Sequence, residues 1–403
     1  MSVRDRWLLP EGVEEILPEE AFRLESLRRR ILDLYGSWGY DLVIPPLIEY
    51  LDSLLVGSSH DLDLQTFKIT DQLTGRMMGL RADITPQVAR IDAHCLVQRG
   101  EACQHLPVRL CYSDSVAHTR PRGLLASRVP IRIGAELFGH AGIACDVELI
   151  CLMYETLQQA NIQDVHIVLG HVGIFRSLVR ESQLSAQSER ELFDAMQRKA
   201  YSEIDQLLDI RVEDTEIRRM LRELSRLSGD ESVLTAALES FRHAPSSVQK
   251  EMRELEAIAT GVKQRLPDIL LDYDLCELRG YEYHTGIVFA AYSASYGRAL
   301  AQGGRFDDIG EVFGRARPAS GFDADLKVIV RLSKDQLSRR RAISAPAAED
   351  VNLWVCIREL RAAGERVIVD LTTAALDNAD LRLLGCDRRL VRVATKWQVQ
   401  DLD

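Results

Sequence analysis

The sequence predicts an α+β fold with a mainly antiparallel sheet, a long helical insertion and a small C-terminal α/β domain. Three observations carry that expectation. Polar and glycine residues sit inside strand-like apolar stretches at Leu80–Arg90 (LRADITPQVAR), Leu278–Phe289 (LRGYEYHTGIVF) and Gly303–Asp307 (GGRFD), as on a binding floor laid across a sheet. The stretch from about 176 to 265 is dense in Leu, Arg and Glu, poor in Gly, and apolar at helical spacing. Composition then breaks at Ser333–Asp350 (SKDQLSRRRAISAPAAED), which reads as a linker.

In chain order, Pro18-Glu19-Glu20 opens a helix with apolar positions Leu24, Leu27, Ile31 and Leu34, ended by Gly36 to Gly39. Tyr40–Ile44 is a short strand stopped by Pro45-Pro46. Phe67–Ile69 and Met77–Leu80 flank Asp71–Gly75, a hairpin signal, and Pro86–Leu96 reads as a helix capped by Thr85. Further strands are expected at Val108–Tyr112, Val129–Ile133, His166–Leu169, Leu270–Leu275, Gly286–Ala291 and Gly321–Phe322, with helices at Asp146–Gln159 and over much of Ser188–Gln264. Past the linker, Val351–Cys356, Ile357–Ala363 and Arg366–Val369 read strand, helix, strand, followed by Leu381–Leu384 and Leu390–Ala394. The domains are therefore a core at 1–332, a linker at 333–350 and a truncated α/β unit at 351–403.

The 403 residues suffice for two domains, and 50 Lys plus Arg against 61 Asp plus Glu give a net charge of −11. That balance is a poor long-range attractor for nucleic acid. No apolar run is long enough to cross a bilayer and the start lacks a signal-peptide core, so a soluble, cytoplasmic protein is expected. The cysteines form no CxxC pair, and His94-Cys95 with Cys103 and His105 lack a closing ligand pair, so reduced thiols and no metal or cofactor are expected.

No phosphate loop, GxGxxG, HExxH or GxSxG motif is present. The candidates are dispersed: Asp83, Thr85, Arg128, Glu136, Arg279, Tyr283, His284 and Arg305. Asp83 and Glu136 suit an ammonium group, Arg128 or Arg279 a carboxylate, and Tyr283 an aromatic wall, a set that fits a zwitterionic amino acid. The bland alternative is a structural Glu136–Arg279 ion pair with Gly303-Gly304 as a tight turn.

The segments LRADITPQVAR (80–90), RIGAELFG (132–139), LRGYEYHTGIVF (278–289) and AQGGRFDDI (301–309), in this order, resemble the catalytic core of histidyl-tRNA synthetase over about residues 5–330. The resemblance implies a class II aminoacyl-tRNA synthetase-like core and a histidine-like ligand pocket of Asp83, Thr85, Arg128, Arg132, Glu136, Arg279, Tyr283 and His284. Arg132 stands where the family has a glutamine.

Departures from that family fall on the ATP side. His118 stands at the arginine that grips the α-phosphate, Arg120 at the following glutamate, and Val328 at the motif 3 arginine, with Asp323 and Asp325 nearby. Losing an arginine clamp removes charge-assisted bonds from a reaction run on electrostatic positioning. The C-terminal region is also short for an anticodon-binding domain. Together these features resemble the regulatory subunits of ATP phosphoribosyltransferase.

That resemblance implies a non-catalytic protein with no catalytic residues and no tRNA partner. It would activate a short-form catalytic subunit in the first step of histidine biosynthesis and mediate feedback by histidine, with free histidine a possible ligand. A homodimer within a hetero-octamer is implied, built through the helix Glu19–Trp38 and the strand Tyr40–Ile44. The opposing reading is an amino-acid-adenylating or ligase-type paralogue in which Lys327 or Arg315 replaces the missing arginines.

Overall fold

The computed structural model describes residues 7–55, 60–95, 106–121, 123, 126–278, 280–281, 283–335, 341–372 and 376–402. They divide into two compact units, one of residues 1–17 and 24–335 and one of residues 18–23 and 336–403.

The first helix, α1 (Pro18–Ser37), starts with Pro in its first turn, where a missing N–H costs nothing. It buries Leu24, Leu27, Ile31 and Tyr35. Tyr35 takes the place expected for Leu34, because the three-and-four spacing leaves both positions near the same face. β1 (Asp41–Leu42) and β2 (Ile48–Tyr50) follow, then the short helices α2 (Leu51–Leu54) and α3 (His60–Gln65). β3 (Phe67–Thr70) and β4 (Met77–Leu80) form the expected hairpin. Its turn is held by Asp71, which accepts from Leu73 N and Thr74 Oγ1, and closed by Gly75 at φ +73°.

The helix at 85 differs from expectation at its start. α4 (Thr85–Arg90) is capped by no side chain, and Thr85 lies inside it. Beyond Arg90 the chain continues as one π-helical turn, Ile91–Cys95. The expected end at Leu96 lies outside the described residues, as do Cys103 and His105.

The main sheet is built from β5 (Val108–Ser115), β6 (Ile131–Phe138), β7 (Val165–His171), β8 (Ser228–Gly229), β9 (Leu270–Asp274), β10 (Ile287–Ser293), β11 (Tyr296–Arg305) and β12 (Ala319–Asp325), together with β1. Its order is β1-β5-β6-β12-β11-β10-β7-β9-β8, antiparallel except where β1 meets β5 and β7 meets β9. The helix α5 (Ile143–Gln158) packs against it and is apolar almost all round, burying Val147, Leu149, Ile150, Leu152 and Met153.

Gly303 and Gly304 are not a turn. They lie in β11, paired with Phe322 and Gly321 of β12 on one side and with Phe289 and Val288 of β10 on the other. Arg305, at the end of β11, is buried and holds Asp146 of α5 at 2.6 Å, while Ser320 Oγ donates to the other Asp146 oxygen at 2.5 Å. This buried ion pair ties sheet to helix, so Arg305 is structural.

The insertion runs between β7 and β9 as α6 (Val172–Ser182), α7 (Ala186–Gln197), α8 (Tyr201–Arg211), α9 (Thr215–Leu224), α10 (Glu231–Ser240) and α11 (Ser246–Arg265). Its amphipathic faces bury Ile204, Leu208, Met220, Leu221, Leu255 and Ile258 in the same core as the sheet. The charged faces pair locally. Arg222 bridges Asp205 at 2.9 Å and Asp209 at 2.7 Å, and Asp214 caps α9. The short α12 (Leu326–Leu332) closes the unit.

In the second unit, β13 (Ala342–Pro346), β14 (Val367–Asp370), β15 (Cys386–Val393) and β16 (Lys396–Asp401) form a sheet of order β14-β13-β15-β16. β13 falls within the expected linker, where its alanine and proline disguised a buried inner strand. Val351–Cys356 is not a strand but the start of α13 (Val351–Ala362), because Asp350 caps it by accepting from Asn352 N and Leu353 N. Leu381–Leu384 likewise falls in and just past α14 (Asn378–Leu383).

Candidate functional site

Strands β6, β12, β11 and β10 floor a cavity of about 480 Å³. Residues 132, 134 and 136 share one face of β6 by the two-residue repeat, and across β12 Gly321 pairs with Glu136 and Asp323 with Gly134. The Glu136 carboxylate lies directly over Gly321. A β-carbon at 321 would stand 1.4 Å from Glu136 Oε2, so the floor is glycine there because the carboxylate occupies the space. Tyr112 of β5 reaches over Gly134 in the same way, with its hydroxyl 2.7 Å from where a β-carbon would be.

Glu136 is buried, and Oε1 accepts from Thr85 Oγ1 at 2.8 Å and from the Tyr112 hydroxyl at 3.2 Å. Oε2 has no hydrogen-bond partner among the described residues. Burial pushes its pKa well above the usual carboxylate range, and the Asp83 and Asp323 carboxylates push the same way against the two hydroxyl donors. An approaching ammonium group would offset the charge and take up the open oxygen.

Asp83 lines the cavity and shapes its rim, with Oδ1 accepting from Ile84 N at 2.6 Å. Arg132 lines it too, but its Nη1 is 3.3 Å from Asp323 Oδ2, so the cation found where the family has an amide is already paired. Tyr283 is half exposed at the mouth and packs on His284 with ring centroids 4.2 Å apart. His284 is buried against the Arg305 carbonyl, and desolvation lowers its pKa to about 4, leaving a neutral ring. Gly280, at φ +67°, makes the turn that lets both rings approach.

Asp83, Thr85, Arg132, Glu136, Tyr283 and His284 thus come together. Arg128 does not. Its guanidinium is spent outside the cavity, donating to the carbonyls of His118 at 3.0 Å and Glu11 at 3.2 Å and lying over the Phe67 ring. Arg279 lies outside the described residues. Sequence reasoning missed Tyr112, Gln302 and Glu277. The alternation of β5 carried a signal for Tyr112, whereas Gln302 lies on the strand that was not foreseen.

The lining carries Asp83, Glu136, Asp194, Glu277 and Asp323, and its cation among the described residues is the paired Arg132. Such a wall attracts a cation and repels a triphosphate. On the ATP side, His118 is buried with Nε2 3.0 Å from the Ala82 carbonyl, and Val328 packs against the core. Lys327 is buried with Nζ 3.3 Å from Glu14 Oε1 and 3.4 Å from Ser127 Oγ, which commits it away from a substitute role.

Comparison with known proteins gives the family and the fold. The histidyl-tRNA synthetase family model matches residues 12–329, and the model described as the ATP phosphoribosyltransferase subunit HisZ C-terminal domain matches residues 340–400. ATP phosphoribosyltransferase regulatory subunits are similar throughout. That of Alkalilimnicola ehrlichii is 53% identical over 96% of this chain and 95% of its own length, and that of Ectopseudomonas mendocina 51% identical over all of both. Among solved structures, an ATP phosphoribosyltransferase regulatory subunit/histidyl-tRNA synthetase from Bacillus halodurans superposes with a TM-score of 0.83 at 24% identity, covering 96% of this chain and 99% of that one. Histidyl-tRNA synthetase from Nostoc sp. does so with 0.78 at 20% identity, covering 98% and 95%. Both share the class II core.

Proposed function

The chain belongs to the ATP phosphoribosyltransferase regulatory subunit family, and from that premise we propose how it works: it activates a short-form catalytic subunit and transmits feedback inhibition by histidine. It is a regulatory subunit and not an enzyme. The observation that carries the mechanism is the contrast within one fold. The amino-acid side keeps a buried carboxylate with an open oxygen, while the two arginine positions of the phosphate side hold His118 and Val328 and Lys327 is tied to Glu14.

A ligand regulates only by binding two states unequally. Free histidine fits this cavity with its ammonium at Glu136, and regulation follows if the active assembly holds it less tightly. Purified chain mixed with the short-form catalytic subunit should raise phosphoribosyl transfer from PRPP to ATP at least about tenfold, equivalent to about 1.4 kcal/mol of barrier. Histidine should reverse the gain. Histidine-dependent pyrophosphate exchange by the chain alone, or no gain on mixing, would refute the proposal.

We also propose a homodimer that assembles with catalytic subunits into a hetero-octamer, without tRNA, in the cytoplasm. Among the described residues no helix is long and apolar enough to cross a membrane. What supports the dimer is the exposure of Leu42, Ile44, Leu47 and Ile48, an apolar run just past the α1 face that is itself buried in the core. Closed two-fold pairing is the commonest way to cover such a run. Ile44→Asp is expected to shift the mass seen by light scattering at micromolar concentration from twice 45.4 kDa toward 45.4 kDa. A single-chain mass for the unmodified protein would count against the dimer.

A further inference from the structure

Where the insertion meets the sheet, His171 ends β7 and Glu251 and Glu254 lie one helical turn apart on α11. One ligand atom from each, an imidazole nitrogen and two carboxylate oxygens, lies within 4.8 Å of the others. The spacing of three along a helix puts both glutamates on one face, aimed at the strand end.

His171 is fully buried, yet neither ring nitrogen has a hydrogen-bond partner among the described residues. Nε2 comes within 3.2 Å of Glu251 Oε2 without the alignment of a hydrogen bond. Buried polar groups are nearly always satisfied, so an orphaned imidazole beside two carboxylates calls for a missing partner.

Two other features suit an ion. Ligands about 2.1 Å from a tetrahedral centre stand about 3.4 Å apart, close to the observed nitrogen–oxygen separation. Position 173 is glycine, and a β-carbon there would lie 2.8 Å from His171 Cε1 and 3.0 Å from Glu251 Oε2, so the backbone leaves the space open. The nearby Arg305 is already balanced by Asp146 and Asp307.

We propose that His171, Glu251 and Glu254 bind a first-row divalent cation through one imidazole nitrogen and two carboxylates. The ion clamps α11 of the insertion to the end of β7. Glu251 also lines a second cavity of about 470 Å³, together with Arg176 and Arg180. Tyr281 lines both this cavity and the one over Glu136, placing the ion one side chain from the amino-acid pocket.

The test uses the full chain, stripped with EDTA and titrated calorimetrically with Co²⁺ or Mn²⁺, with the Co²⁺ absorption spectrum recorded alongside. One ion per chain at micromolar concentration is expected, with a spectrum free of thiolate charge-transfer bands. Glu251→Gln and Glu254→Gln should each weaken binding at least tenfold while the metal-free melting temperature does not fall. These positions are partly exposed, so both variants should fold even if His171→Gln does not. No stoichiometric binding, a thiolate spectrum, or affinity untouched by both glutamine variants would overturn the site.

Discussion

Gly303→Ala is expected to cost the fold about 3 kcal/mol or more, the upper range for overpacking. A β-carbon at 303 would stand 2.1 Å from the Gly321 carbonyl oxygen, 2.7 Å from Phe322 Cβ and 2.8 Å from Phe289 Cε2. The first of these is backbone, held in the β11–β12 ladder, and cannot swing aside as a long side chain can. Relief requires the two central strands to part, which breaks the floor beneath Glu136 as well. Gly297→Ala, on the same strand, is the control, because a β-carbon there meets nothing within 4 Å. Its effect should stay within about 0.5 kcal/mol. Urea unfolding of both variants measures the difference in midpoint, and equal midpoints would show that the strands yield more easily than this packing implies.

Glu136→Gln should make the chain more stable and less able to bind histidine. Its folded pKa is raised above the usual 4.5, chiefly by burial. At any pH between the unfolded and folded values the unfolded chain has shed the proton while the folded chain keeps it. Stability therefore falls as pH rises through that window, by about 1.4 kcal/mol per pH unit. An amide carries no such penalty and preserves an acceptor for Thr85 and Tyr112. The melting temperature of the variant should exceed the parent's at pH 7, with the gain disappearing below the usual glutamate value of 4.5. Binding moves the other way, because an amide cannot release a proton and present a charge to the ammonium, and histidine affinity should fall about tenfold or more. A variant that is less stable at pH 7 yet binds histidine as well as the parent would remove Glu136 from the pocket's chemistry.

Much of the fold was legible because local chemistry and tertiary structure agree. Asp71 and Gly75 form the hairpin turn they announce, and Pro18 starts the helix it should. The failures have physical causes. Tyr296–Arg305 holds no β-branched residue and two adjacent glycines near its end, so its strand character shows only in outline and its bounds do not; those glycines answer to Phe322 and Gly321 across the ladder. In the second unit the apolar run at 351–356 looks like a strand until Asp350 is recognised as a cap. Glu136 and Thr85 stood among the dispersed candidates and the resemblance grouped them in one pocket, but only the structure joins them at 2.8 Å. Arg128 drew attention by charge and is spent on two carbonyls. The His171–Glu251–Glu254 cluster has no motif spacing, since one ligand ends a strand and the others follow far along the chain.

The helical insertion has a consequence in polymer terms. β7 and β9 are parallel neighbours, with His166 opposite Leu270, and the chain leaves after one and returns for the other only at the far end of α11. The entropy lost in closing such an excursion grows only as the logarithm of its length, about 0.6 kcal/mol for each doubling. Closure therefore sets little limit on the length of the excursion, and its exposed charged faces can be resurfaced while the apolar faces that share the core, and the pairing of β7 with β9, are left as they were. Surface that varies so cheaply beside an unyielding sheet is where selection can fit a chain to a new partner without redesigning the fold that carries it.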